Sequence, residues 1–165
     1  ISRQSFTVRS MKIELFFLGK TKDSYIEQGI KEYSGRLKHY TSHNLTTLKV
    51  KRKKGWTEAQ DRQEEGRVLL AALPAATVKV VLDSSGKQVS SEELADLVSR
   101  WELTGRKQVS FLIGGPTGHS QAVLDQADFL LSLSRMTFTH DMVRLFLLEQ
   151  LYRAYTIKAG EKYHK

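Results

Sequence analysis

Short apolar runs and stretches of helical spacing alternate along the chain. Lys12 to Leu18 (KIELFFL) is apolar, brief and closed by Gly19, which predicts a buried strand. Ser24 with Glu27 three residues on has the form of a capping box, and Tyr25, Ile26, Ile30, Tyr33 and Leu37 recur at helical spacing, so a helix is predicted through Tyr40. Asn44 to Val50 alternates weakly as a second strand and runs into Lys51-Arg52-Lys53-Lys54-Gly55-Trp56, which reads as an exposed loop. A helix follows from Thr57 to Leu73, ended by Pro74.

The second half repeats the alternation. Thr77 to Asp83 (TVKVVLD) is a β-branched strand, Ser84 to Lys87 has the composition of a turn, and Ser90 with Glu93 forms another capping box, opening a helix to about Leu103. Gln108 to Ile113 predicts a strand stopped by Gly114-Gly115-Pro116. Ser120 to Gln126 predicts a short helix, Phe129 to Leu133 a fifth strand, and Asp141 to Lys158 a long helix. Strands alternating with helices imply parallel βαβ units: a single α/β domain whose mostly parallel sheet is covered by helices on both faces. No period of 20 to 50 residues recurs, which excludes a repeat array.

Composition narrows the class. The chain has 165 residues, enough for one substantial core, and its hydrophobic fraction of 40 % and charged fraction of 27 % are those of an ordinary globular domain. No apolar run approaches the roughly 20 residues of a spanning helix, so no membrane partner is expected. Cysteine is absent and the five histidines lack zinc-site spacing, so no metal is expected and a reducing cytoplasm fits. A formal charge of +8 favours a polyanionic partner such as nucleic acid, although many basic proteins bind none. Residues 1–10 carry two arginines, three serines and no acid, and Met11 opens a clean strand, so the first ten are read as a non-native or upstream extension and 11–165 as the domain.

Two segments at strand exits have the form of ligand sites. Phe111-Leu112-Ile113-Gly114-Gly115-Pro116-Thr117-Gly118 places glycines where ligands of open α/β sheets bind, outside the carboxyl ends of strands. It is neither a dinucleotide fingerprint nor a phosphate loop, and by itself it reads equally as a tight turn. Leu133-Ser134-Arg135-Met136-Thr137-Phe138 fits neither helix nor strand. Its main chain could serve an adenine ring walled by Leu133, Met136 and Phe138, or it is an ordinary connection.

The last helix is apolar nearly all round, through Met142, Val143, Leu145 to Leu148, Leu151, Tyr152 and Tyr155, which predicts cover on several sides and makes a second copy of the chain a natural partner. Glu149 lies four residues before Arg153, the favourable order for a helical ion pair, which in its plain form is a solvated pair of small energy. The tail Gly160 to Lys165 combines Tyr163 and His164 with lysines. That set suits base stacking, phosphate contact and proton movement, and equally a frayed terminus.

Taken together, Glu32-Tyr33 with Arg36-Leu37, Leu82-Asp83 with Gly86-Lys87, LIGGPTG, LSLSRMTFTH, LLEQLYRA and the terminal Tyr-His-Lys resemble, in order and spacing from Met11 onward, the RlmH family of SPOUT ribosomal RNA methyltransferases. The resemblance implies a single-domain α/β knot whose C-terminal segment forms a trefoil, with S-adenosylmethionine as cofactor held by Leu82, Gly114, Leu133, Ser134, Arg135, Met136, Thr137 and Phe138. It implies methylation of N3 of a pseudouridine in a stem-loop of 23S ribosomal RNA on assembled ribosomes, by a homodimer. Glu149, Arg153, Tyr163 and His164 match the positions that orient or deprotonate the base, Arg153 for RNA or tail positioning and His164 near the target. Thr139 stands where the family often has proline, which touches only the bend before the last helix. Two other readings are a catalytically silent RNA-binding dimer of the same fold and a nucleotide-binding α/β protein of unrelated activity.

Overall fold

Side chains on a strand alternate between its two faces, and this chain makes a core of both. The computed structural model describes residues 11–164; the expected extension 1–10 and Lys165 lie outside the described residues. The elements are β1 (Lys12–Leu18), α1 (Ser24–Leu37), β2 (His43–Leu48), α2 (Glu58–Ala72), β3 (Val78–Gln88), α3 (Ser91–Leu103), β4 (Gln108–Ile113), α4 (Gln121–Gln126), β5 (Phe129–Ser132) and α5 (His140–Lys158), followed by a single 3-10 turn at Lys162–His164. The strands form one parallel sheet in the order β2-β1-β4-β3-β5.

Ile13, Leu15, Phe17, Val80, Leu82, Phe111 and Ile113 pack under α1, α3 and α5, whereas the alternate positions Phe16, Leu18, Val81 and Leu112 pack under Leu69 of α2 and Val123 of α4. The split follows from crossover handedness. The β1→β2 and β3→β4 connections step one way along the sheet and β2→β3 and β4→β5 the other, and right-handed crossovers in opposite directions must lie on opposite faces. A single α/β domain with a parallel, doubly covered sheet is thus as the alternation predicts.

Two local expectations are corrected. Ser24 is not a cap: α1 starts at Ser24, its N-cap is Asp23, and no side chain bonds there. The loop before it is held instead by the Lys22 backbone N–H donating to Asp141 Oδ2 at 2.9 Å. Nor does Ser84–Lys87 reverse the chain. β3 continues to Gln88, and both Leu82 and Lys87 pair with Leu131 across a bulge. Residues of turn composition also serve bulges, and a Cβ at Gly86 would lie 2.7 Å from the Leu130 carbonyl, so the main chains touch here.

By contrast, the Ser90 box forms in full, with the Glu93 backbone N–H donating to Ser90 Oγ at 3.0 Å and Ser90 N–H to Glu93 Oε2 at 3.2 Å. Thr57 makes the same pair of bonds with Gln60 at the start of α2. Ser90→Ala is expected to cost about 1 kcal/mol, or roughly 2–4 °C in Tm, and Ser24→Ala nothing measurable; thermal unfolding of the two variants side by side checks the distinction.

The apolar circumference of α5 is covered from within the chain over much of its length, since Leu147, Leu148, Leu151 and Tyr155 are buried in the core shared with α1 and α3. Among the described residues no helix is long and apolar enough to cross a membrane, and no group of three acidic or histidine side chains has a metal-holding arrangement.

Candidate active site

Two strands end beside a bulge in a third. Leu82 of β3 is paired with Ile113 on one side and Leu131 on the other, so the β3 bulge that starts at Asp83 lies between the end of β4 before Gly114 and the end of β5 at Ser132. Beyond them opens a cavity of about 160 Å³ between the start of the β3 bulge (Leu82, Asp83, Ser84), the segment that runs from Leu131 through Phe138, and Val143 of α5. Ser132 Oγ donates to the Ser134 carbonyl at 3.0 Å and the Met136 N–H donates to Ser134 Oγ at 3.0 Å. These bonds explain why the segment is neither helix nor strand: serine side chains replace the ladder and bend its main chain around the cavity. Met136 is 75 % exposed and Phe138, stacked edge-on against Phe146 at 5.1 Å, is half-exposed. Apolar side chains of that size left in water at a cavity mouth are unusual for a surface with nothing to bind.

Six of the eight residues expected to hold the cofactor line this one cavity: Leu82, Leu133, Ser134, Met136, Thr137 and Phe138. Arg135 is exposed and outside the lining. Gly114 ends the neighbouring strand, and a Cβ there would meet the His119 imidazole at 3.1 Å, so a side chain at Gly114 displaces His119 first. Asp83, Ser84, Leu131, Ser132 and Val143 complete the lining and were not foreseen. The first four are chain neighbours of expected residues; Val143 arrives from α5 and carries no sequence signal.

His119 is largely buried against these strand ends, with Nε2 lacking a hydrogen-bond partner. Burial pushes its pKa below the ordinary value, against the raising effect of Asp83. The unfolded chain therefore takes up a proton as pH falls through about 6.5 that the folded one refuses, so acidification removes stability. His119→Gln is expected to lose less stability than the parent between pH 7 and 5.5 in urea titrations, and parallel curves would contradict the assignment.

Glu149, Arg153, Tyr163 and His164 form a second cluster. Arg153 is ion-paired with Glu149, its guanidinium lies 4.9 Å from the Tyr163 ring centroid, and its Nη1 is 3.3 Å from His164 Nδ1. Tyr163 Oη donates to Glu149 Oε1 at 3.1 Å, and Gln150 Nε2 donates to Glu149 Oε2 at 2.8 Å. His164 Nε2 lies 2.6 Å from Glu92 Oε1. A neutral imidazole satisfies both neighbours only with its proton on Nε2, leaving Nδ1 to accept from Arg153. Burial first, then the bonds to Tyr33 and Glu149, pushes the Tyr163 phenol up, so it stays protonated. The His164 bond holds Glu92 below the usual carboxylate range.

The Glu149–Arg153 pair is therefore the hub that fixes the tail through His164, and more than a solvated surface pair. None of the four lines the cavity at Leu82. A second hollow of about 280 Å³, bounded by Val89 to Ser91, Leu94 and Gln150, shares the wall Leu131 to Leu133 with it, and Gln150, which donates to Glu149, connects the cluster to that hollow. A wider groove of about 1040 Å³ runs between α2 and α4 past Trp56, Arg62, Arg67 and His119, but helix side chains rather than strand-exit main chain line it. The smaller cavity is the better candidate, because ligands of such sheets sit outside the carboxyl ends of strands.

A parallel α/β sheet with a cavity of mixed apolar and polar lining where β5 ends beside the β3 bulge is the architecture of a small-molecule-dependent enzyme. Residues 11–164 match the family described as predicted SPOUT methyltransferase. The chain is 57 % identical over 155 residues to ribosomal RNA large subunit methyltransferase H of Desulfotalea psychrophila, covering 94 % of this chain and 100 % of that protein. It is 45 % identical over 159 residues to the protein of the same name from Halothermothrix orenii, again over 94 % and 100 %. The match to the one from Christiangramia forsetii is 43 % over 155 residues, 93 % of this chain and 99 % of that one. The chain belongs to the SPOUT methyltransferases, within the ribosomal RNA large subunit methyltransferase H family.

Proposed function

We propose that the protein transfers a methyl group from S-adenosylmethionine to N3 of a pseudouridine in a stem-loop of 23S ribosomal RNA on assembled ribosomes, as a cytoplasmic homodimer with the trefoil threading of its family. The observation that carries the reading is the cavity between the β3 bulge and the end of β5, walled by the bent main chain of Leu131 to Phe138. Its residues fit the cofactor. Leu133, Met136 and Phe138 offer apolar walls for a purine, the serine-bent backbone offers amides and carbonyls to its edge, and Asp83 supplies a carboxylate suited to ribose hydroxyls or a sulfonium charge. The relatives' names state that they act on large-subunit ribosomal RNA, and the net charge of +8 suits such a polyanion. The exposed Met136 and Phe138, with the partly uncovered Phe146 and Met142, suit cover by a second copy.

The bound cofactor supplies an electrophilic methyl group, so the protein's task is to place the acceptor nitrogen in line, exclude water and help the N3 proton leave. Arg153, fixed by Glu149, carries positive charge at the tail and orients His164 through Nδ1. Tyr163, kept protonated, donates its hydroxyl hydrogen bond to Glu149 and so steadies the carboxylate that holds Arg153, rather than acting as a base. Arg153→Ala is expected to lower transfer on the order of 100-fold while leaving cofactor affinity within twofold, which single-turnover assays beside calorimetric binding separate.

The reading is tested by transfer of labelled methyl from S-adenosylmethionine to ribosomes from a strain lacking the modification, followed by nucleoside mapping. Label on N3 of one pseudouridine in the large-subunit RNA is expected. Salt-dependent ribosome binding with no label would leave an RNA-binding dimer of the same fold.

A further inference from the structure

The proposed methyl-transfer cavity lies between the β3 bulge and the carboxyl end of β5, and the carboxyl ends of β1 and β2 form a separate pocket. It measures about 220 Å³ and is lined by Leu18, Gly19 and Val50 at its floor and by Lys20, Lys22, Arg52 and His140 around it, with Pro116 of the strand-exit loop closing one side. The four basic side chains come from three distant parts of the chain: the β1–α1 loop, the β2–α2 loop and the start of α5. Convergence of that kind is not a consequence of one basic run. The lowered pKa of His140, caused first by burial and then in part by Lys22, Arg52 and Arg144 against Asp141, accords with cations gathered at this point.

The acids facing the pocket are engaged elsewhere. Asp141 is buried, receives the Lys22 backbone N–H at 2.9 Å and lies 3.7 Å from Arg144 Nη1 and 3.3 Å from His140 Nε2. Glu65 is buried and pairs with Arg52 at 2.6 Å, which fixes the arginine. Asp23 is exposed one residue beyond Lys22 and outside the lining. Lys20 and Lys22 are exposed and, among the described residues, in no ion pair. The β2–α2 loop that brings Arg52 to the pocket also carries Lys49, Lys51, Lys53 and Lys54, all exposed, with Lys53 5.7 Å from the Trp56 ring centroid.

We propose that this pocket is a docking site for a backbone phosphate of the substrate RNA, with Lys20 and Lys22 neutralising it, Arg52 oriented toward it by Glu65, and the lysines of the β2–α2 loop contacting the flanking phosphates. Clustered lysines with a pre-oriented arginine match a phosphodiester, whose binding releases counterions and carries no base specificity. The site holds the RNA away from the reacting base, so it acts on substrate capture and not on the methyl-transfer step. It rests on the reading that the substrate is RNA and not on which base is modified.

The test is the full-length variant Lys20→Ala/Lys22→Ala. Both side chains are exposed, and the Lys22 contact with Asp141 uses main chain, so the fold survives. The control is Lys38→Ala/Lys107→Ala, which removes the same charge from exposed positions at the amino end of the sheet. The first variant is expected to raise KM for unmodified ribosomes roughly tenfold with kcat and S-adenosylmethionine affinity unchanged. It should also flatten the salt dependence of log Kd for a fluorescein-labelled single-stranded RNA by about 1 unit, the loss of one neutralised phosphate. The control should move neither. Equal KM and equal salt slopes in the two variants would overturn the site, and so would a fall in kcat alone. Should the parent methylate nothing while its RNA binding still loses that slope in the first variant, the proposed reaction falls and the phosphate site stands.

Discussion

Ser134→Phe should abolish cofactor binding while sparing the fold. Ser134 lines the cavity, and its hydroxyl accepts the Met136 N–H that bends the segment around it. A phenyl ring there fills much of a space of about 160 Å³ and removes the turn at once. Affinity for S-adenosylmethionine is expected to fall at least about 100-fold, or roughly 2.7 kcal/mol, and methyl transfer to fall with it. Far-ultraviolet circular dichroism should be unchanged, since Ser134 is half-buried and outside β5 and α5. Calorimetry decides: retained affinity would mean that the cofactor sits elsewhere.

The second large effect is on stability. Arg144 is 0 % exposed, donates to the Leu18 carbonyl at 2.8 Å and Thr21 Oγ1 at 3.0 Å, and packs over the Phe17 ring at 4.8 Å. Burial lowers its pKa, opposed by Asp141, the acid that shares its surroundings. Removing one member of a buried charge pair strands the other, which costs roughly 3–5 kcal/mol from a total of about 5–15 kcal/mol. Arg144→Met is expected to lower the free energy of unfolding by that amount, read as a fall in the urea midpoint at constant m-value. Arg144→Met with Asp141→Asn should recover a good part of it, because the asparagine still accepts from Lys22 N–H and no lone charge stays buried. A double variant no more stable than the single one would show that the arginine acts through packing alone.

How much of this was legible depended on the kind of signal each residue carries. Lys12–Leu18 and Gln108–Ile113 appear where their apolar runs end in glycine, because a strand buried on both faces must be apolar throughout. The Ser90–Glu93 box held because both members sit at the right spacing before an amphipathic run; Ser24–Glu27 had the same spacing, but the Asp141 contact at Lys22 sets where that helix begins. That contact spans the whole domain, so local pattern cannot show it. The same holds for Ser84–Lys87, where pairing with β5 turns an apparent reversal into a bulge.

The site was legible in parts. Leu133 to Phe138 were visible as a strand exit and Leu82 through its match to the family's motifs, and all of these but Arg135 share one cavity. Arg144 and Val143 were not, since a buried arginine in an apolar helix looks like any polar exception, and its partners Leu18 and Thr21 lie more than a hundred residues away in the chain. The tail looked as much like a loose end as like a functional one. Its order comes from Glu149, Arg153 and Glu92, a set that only tertiary structure assembles.

The most direct test of the account is the crystal structure of the protein with S-adenosylmethionine bound. The nucleoside is expected between Leu82–Ser84 and Leu131–Phe138, with its ring against Leu133 and Phe138 and its polar edge on the main chain of the serine-bent segment. Density for it in the groove between α2 and α4, beside Trp56 and Arg67, with the β3–β5 cavity empty, would contradict the account.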